Sequence, residues 1–296
     1  MGTRQRTITL AALGGLLAMT VLSSPAAAAP RPAPGGRILY LDFDGSTAGS
    51  GTLKSVRPTG WGRQDFGLQL FWASSPDYSP TGFRIAYLRD INVHHMAADG
   101  SDDRNLGAPN LGIGFPRWSP DGRWITVESW GDIVAVHRDG SSVPPVNLTS
   151  AHDSNDLVAA WAPGGRRFAT ANYAAVRVYS ADGVSGRDLA ALPGAYRLDW
   201  NPDGRSLAVE ALGDLWVVTV PSGAVRRLTD TPEVQETSPV WSPDGRWLAY
   251  GRGPGAHDPD FPGVTTDPVI WLMRRDGRGA YSTAVPGVPS SWRAAG

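Results

Sequence analysis

Four stretches of the chain gather the side chains best suited to chemistry. Asp42 and Asp44 close an apolar run, and His257, Asp258 and Asp260 lie before Asp267 in a segment rich in glycine and proline. His152, Asp153, Asn155 and Asp156 form a third group, and Glu233, Gln235 and Glu236 a fourth. Carboxylates clustered with amide and carbonyl oxygens are the donor set of hard cations, so Asp42, Asp44, His257, Asp258, Asp260 and Asp267 define a candidate calcium or magnesium site if folding brings them together. His152, Asp153, Asp156, Glu233 and Glu236 would instead line an acidic surface that attracts a cation or a cationic partner.

Other chemistries are excluded by what the sequence lacks. It has no cysteine, which removes disulfides, thiol catalysis, cysteine zinc sites and a lipid-modified cysteine anchor. The histidines are His94, His95, His137, His152 and His257, with no His-Glu-x-x-His among them, and no Gly-x-Ser-x-Gly occurs. Adjacent His94 and His95 on a strand would point to opposite faces and could not easily share a ligand.

The elements that must position the candidate residues follow from an internal repeat. Pro116-Arg-Trp-Ser-Pro-Asp-Gly-Arg123, Ala160-Trp-Ala-Pro-Gly-Gly-Arg166, Asp199-Trp-Asn-Pro-Asp-Gly-Arg205 and Val240-Trp-Ser-Pro-Asp-Gly-Arg246 are copies of one motif. Degenerate copies put Tyr78 and Trp292 at the aromatic position, so successive intervals are 40, 43, 39, 41 and 51 residues. Within each copy, proline presets φ and glycine tolerates a left-handed exit, which is type I turn chemistry joining two antiparallel strands. Apolar β-rich runs follow, such as Trp124-Ile-Thr-Val-Glu and then Asp132-Ile-Val-Ala-Val. A second turn, often Asp-Gly, leads to a short fourth strand. Four strands in roughly 40 residues make a propeller blade.

Repeated Trp-Ser-Pro-Asp-Gly-Arg followed by an apolar strand resembles the TolB-like propeller repeat, over nearly the whole chain after its first residues. The resemblance implies an all-β, six-bladed propeller of four-stranded antiparallel blades. It does not extend to the α/β domain that precedes the propeller in TolB. Arg37-Ile-Leu-Tyr-Leu-Asp42 looks like a second strand lacking a first, and the strand around Trp292 would supply it and close the ring. The stretch Ile38 to Ser46 also mimics the opening strand of a haloacid-dehalogenase phosphatase, with Asp42 as nucleophile and Asp44 as acid/base. That family needs an α/β domain and a downstream lysine, whereas Lys54 is the only lysine here.

In such a blade the first and third turns lie on one face, and the second turn and the link to the next blade on the other. We call these the Asp-Gly face and the link face. All four candidate groups fall on the link face, where loop variation on a rigid scaffold usually places binding. The repeat tryptophans are expected to pack between blades.

Arg4 and Arg6, the apolar stretch from Ile8 to Leu22 and the small residues Ala26 to Ala29 read as a Sec-type signal. The expected organisation is a signal peptide over 1–29, a leader over 30–36 and the propeller over 37–296. The apolar stretch holds 15 residues, short of the roughly 20 that a membrane span needs. Removing Arg4 and Arg6 takes Lys+Arg from 27 to 25 against 28 Asp+Glu, a net charge of −3 that gives no reason to expect nucleic acid. The sequence thus predicts a secreted or cell-envelope monomer that binds an envelope or extracellular protein, peptide or glycan. The alternative is a divalent-cation-dependent propeller hydrolase, lactonase or lyase with its site at the channel mouth.

Overall fold

The structure is a computed structural model that describes residues 34–43, 49–71, 74–107, 114–150, 152, 155–255 and 267–294. Six four-stranded antiparallel sheets form the blades of a propeller. Blade 1 holds β1 (Arg37–Asp42), β2 (Ser50–Val56) and β3 (Gln64–Phe71). Blade 2 runs through β4 (Asp77–Tyr78), β5 (Arg84–Arg89), β6 (Asn92–Ala97) and β7 (Arg104–Asn105). Blade 3 comprises β8 (Arg117–Trp118), β9 (Trp124–Ser129), β10 (Asp132–His137) and β11 (Val146–Asn147). Blade 4 follows with β12 (Val158–Trp161), β13 (Arg167–Ala171), β14 (Ala175–Ser180) and β15 (Gly186–Ala191). Blade 5 has β16 (Ala195–Trp200), β17 (Ser206–Ala211), β18 (Asp214–Thr219) and β19 (Val225–Arg227). Blade 6 has β20 (Val234–Trp241), β21 (Trp247–Pro254), β22 (Val269–Arg274) and β23 (Tyr281–Pro286), and β24 (Val288–Arg293) returns to blade 1.

There β24 pairs antiparallel with β1, Ile38 opposite Trp292, which is the closure expected from the sequence. This topology rules out the phosphatase reading of Asp42 and Asp44, because the strand carrying Asp42 belongs to an all-β blade. Among the described residues no helix is long and apolar enough to cross a membrane.

The repeat motif explains the first turn of each blade. In blade 3 the Ser119 hydroxyl donates to the Asp121 carboxylate at 2.6 Å and accepts from Trp124 N at 3.0 Å, while Arg123 N donates to the same carboxylate at 3.0 Å. Ser242 and Asp244 repeat this set in blade 6. The motif aspartates here are turn residues, and the following glycine takes a left-handed φ, 68° at Gly122 and 67° at Gly204.

The repeat aromatics join blade to blade. Tyr78 packs among Leu39 and Leu53 of blade 1, Trp118 among Ala86 and Leu88 of blade 2, and Trp161 against Ile133 and Ala135 of blade 3. Trp200, Trp241 and Trp292 likewise enter blades 4, 5 and 6. The residue before the aromatic adds a polar latch at three of the interfaces. Trp118 N donates to Asp77 at 2.9 Å, Trp241 N to Asp199 at 2.7 Å, and Tyr78 N to the Ser291 hydroxyl at 3.2 Å.

Candidate functional site

The link face is built by the second turns and by the links that start each inner strand, and hydrogen bonds sew the two together. Asp156 N donates to Gly131 O at 2.7 Å, Tyr173 N to Ala195 O at 2.8 Å, Glu236 N to Gly213 O at 2.8 Å, and Gly287 N to Pro268 O at 2.7 Å. Each bond runs from the second turn of one blade to the entry of the next, so the turns of blades 3 to 6 stand at one end of the ring.

Of the residues singled out in the sequence, Asp44, Asp153, His257, Asp258 and Asp260 lie outside the described residues. Asp42 is buried and pairs with Lys54 at 2.8 Å, an ion pair the sequence did not announce. Asp156 is fully buried; its oxygens accept from Thr170 Oγ1 at 2.6 Å and Tyr179 OH at 2.9 Å. Glu236 is also buried, accepting from Thr231 Oγ1 and pairing with Arg252 at 3.1 Å, and burial pushes its carboxyl up. Glu233 and Asp267 are exposed. His152 stands against blade 4, bonded to Gly183 O at 3.0 Å and edge-on to Tyr179. It therefore joins the turn between β14 and β15, away from an acidic mouth around the channel. Among the described residues, no group of three or more metal-ligating side chains is positioned to hold an ion. His94 and His95 are both buried and part company as expected, His94 toward Asp103 and His95 toward Arg84 and Arg138 O.

The structure adds a channel group that the sequence reading passed over. Inner strands β4, β8 and β16 carry Asp77, Arg117 and Asp199, all half-buried. Burial pushes the Asp199 carboxyl up to about 7, against the pull of Trp241 N and the Arg117 charge. Asp77 is raised by the same cause. Arg117 donates to Ser75 O at 2.8 Å and to Pro116 O at 2.9 Å. Nearer the link face, Phe115 reaches from the start of blade 3 to blade 5, where its ring meets Tyr196 edge-on at 5.7 Å. The Arg197 guanidinium lies 5.2 Å from Phe115 and donates to Ser238 Oγ of blade 6. Glu210 accepts from Thr237 Oγ1 at 2.7 Å and Ser238 N at 2.8 Å. Aromatic rings and a cation thus bridge blades 3, 5 and 6 across this end of the channel. The signal was present: Asp77, Arg117 and Asp199 each precede a repeat aromatic, a position at which other blades carry Ala160 and Val240.

A closed ring of six blades with a TolB-like repeat defines the fold class, a TolB-like six-bladed β-propeller, and solved structures agree. TolB from Acinetobacter baumannii superposes with a TM-score of 0.65 at 20% identity, over 87% of this chain and 66% of that one. A putative TolB from Agrobacterium tumefaciens gives 0.63 at 16% identity, over 88% of this chain and 93% of that one. An oligogalacturonate lyase from Vibrio parahaemolyticus gives 0.51 at 12% identity, over 84% and 74%. No family model matches the sequence.

Among curated proteins, the uncharacterized peptidase YuxL of Bacillus subtilis (strain 168) is 26% identical over 183 residues, 60% of this chain and 21% of that protein. The uncharacterized protein Atu1656 of Agrobacterium fabrum is 25% identical over 171 residues, 55% of each. The chain therefore spans about a fifth of the one relative and about half of the other.

Proposed function

We propose that the protein is an exported binding propeller that presents its link face to a protein, peptide or glycan partner of the cell envelope or its surroundings. The observation that carries this reading is the division of the link face into committed and uncommitted groups. Asp156, Glu210 and Glu236 are buried and spent on bonds that hold turns and blades together. The channel end is bridged by Phe115, Tyr196 and Arg197. What remains for a partner is the outward tips of the turns and links. The basic start, apolar stretch and small residues ahead of residue 30 support export.

The test immobilises the mature protein and titrates envelope fractions and a glycan array. Saturable capture should survive replacement of the Pro-Asp-Gly tips and disappear when the second-turn tips are replaced. Capture that ignores both sets, or none at all, would sink the reading.

A second reading, a propeller hydrolase, lactonase or lyase, is favoured by the half-buried Asp77, Arg117 and Asp199 group, since a carboxyl raised to about 7 is suited to proton transfer near neutrality. Turnover of a lactone, phosphoester or polysaccharide by the protein, lost in Asp199→Asn, would promote it over the binding reading.

A further inference from the structure

The second turns of four consecutive blades share a feature that the fold does not require. Blades 2, 3 and 5 join their middle strands through two-residue turns in which both residues have positive φ: Asp90 at 50° and Ile91 at 59°, Trp130 at 55° and Gly131 at 89°, Leu212 at 51° and Gly213 at 75°. This is the type I′ hairpin, which strongly prefers Asn-Gly or Asp-Gly. Blade 4 uses a three-residue turn with Tyr173 at φ 62°. A left-handed backbone is unfavourable for bulky residues and most of all for a β-branched one such as Ile91.

Ile91 and Trp130 gain little burial in return, being 67% and 80% exposed; Tyr173 and Leu212 are each 41% exposed, Tyr173 stacking on Tyr196 at 5.5 Å and Leu212 lying over Gly194. Beside Leu212 a cavity of about 250 Å³ opens between Trp216, Pro232, Arg227 and Asp214. Backbone bonds from the neighbouring links hold the turns of blades 3 to 5 in place, so the strained conformations are imposed from outside the turn. A stability-driven sequence would place asparagine or glycine at these positions. An apolar arc on the link face is what the cost maintains.

The charge around the arc selects its partner. Arg89 pairs with Asp103 at 2.8 Å, Arg227 with Asp214 and Asp230, and Arg252 with Glu236. Asp90, Glu233 and Asp267 are exposed and join no ion pair among the described residues. The cations of this sector are already neutralised, and the uncommitted charge is negative. We infer that the arc of Ile91, Trp130, Tyr173 and Leu212 docks a cationic amphipathic peptide segment, its apolar side chains on the arc and its lysines or arginines toward Asp90 and Glu233. This rests on the binding reading above and specifies the partner's chemistry.

The experiment measures fluorescence anisotropy of a labelled amphipathic Lys/Leu peptide and of its Glu/Leu counterpart against the mature protein. The Lys/Leu peptide should bind at least tenfold more tightly, and added salt should weaken it. The combined variant Ile91→Asn, Trp130→Asn, Tyr173→Asn and Leu212→Asn should lose at least tenfold in affinity. Replacing Trp61, Phe83 and Val184, the exposed apolar residues of the opposite face, with serine should leave it unchanged. The single variants Ile91→Asn and Trp130→Asn should unfold at a midpoint higher by roughly 2 °C each, and these two replacements together, with Tyr173 left stacked on Tyr196, should already weaken binding, so that lost binding is not lost folding.

Equal binding of both peptides, or affinity indifferent to the four replacements, would overturn the inference. A glycan or protein captured equally well by the fourfold variant would also overturn it while leaving the broader binding reading intact. Self-association in light scattering that vanishes in the variant would replace the peptide with a second copy of the chain.

Discussion

The two turns of a single blade follow opposite rules. In the first turns, on the Asp-Gly face, left-handed positions are glycines, in blades 3 and 6 within a motif whose serine and aspartate close the turn, so residue type and backbone geometry agree. On the link face, equivalent left-handed positions hold isoleucine, tryptophan, tyrosine and leucine. The two turns cap opposite ends of one shared strand and feel the same fold. Their difference shows which face the sequence shapes for stability and which it keeps at some cost to stability.

This contrast can be pressed hardest with tryptophan itself. Trp200 is buried between blades and its indole N–H donates to Ala160 O at 2.9 Å, so Trp200→Ala should cost about 3–5 kcal/mol of unfolding free energy. Trp130→Ala, at an exposed turn, should stay within about 0.5 kcal/mol of wild type or gain. Denaturant titration of both variants measures the gap, and equal losses would erase the distinction between the faces.

A second trial concerns charge inside the ring. Asp199 ionises near 7 in the folded protein and near 3.8 when unfolded, so folding favours its neutral form, and its contribution to stability is lost as pH rises through about 7. His95, held neutral by burial, acts in the opposite sense, and a variant isolates the aspartate. The midpoint of wild type relative to Asp199→Asn should fall between pH 5 and pH 8. A constant difference would mean that Asp199 titrates as an ordinary carboxylate.

The smallest effect isolates backbone conformation alone. A methyl group at Gly204 would meet nothing within 4 Å, yet φ there is 67°. Gly204→Ala should therefore cost about 1 kcal/mol through left-handed strain, opposite in sign to the gain expected for Trp130→Asn.

Much of the fold was legible because the repeat combines turn chemistry with a fixed aromatic. Tyr78, Trp118, Trp161, Trp200, Trp241 and Trp292 set the blade count of six, and Trp292 also announced the closing strand. The candidate site was less legible, for a physical reason. Polar residues in links look alike in sequence whether they face water or satisfy buried backbone, and Asp156 and Glu236 turned inward while Glu233 did not. Asp77 and Asp199 were not legible because the repeat fixes the aromatic and the turn but leaves the preceding position free, as Arg117, Ala160, Val240 and Ser291 show. Trp130-Gly131 and Leu212-Gly213 were not legible as turns, because a bulky residue before glycine between two alternating apolar runs is a hairpin signal with the wrong first residue.

The seam between β1 and β24 has a directional consequence. Gly36 lies against the Arg293 carbonyl, the Trp292 indole N–H donates to Gly35 O at 3.0 Å, and the Arg293 guanidinium bonds Gly82 O in the first turn of blade 2. The described chain therefore enters and leaves the ring on the Asp-Gly side. Any tether fused at either point, whether a cell surface, a second domain or a sensor chip, would hold the propeller by its back and aim the four bulky turn tips away from the support.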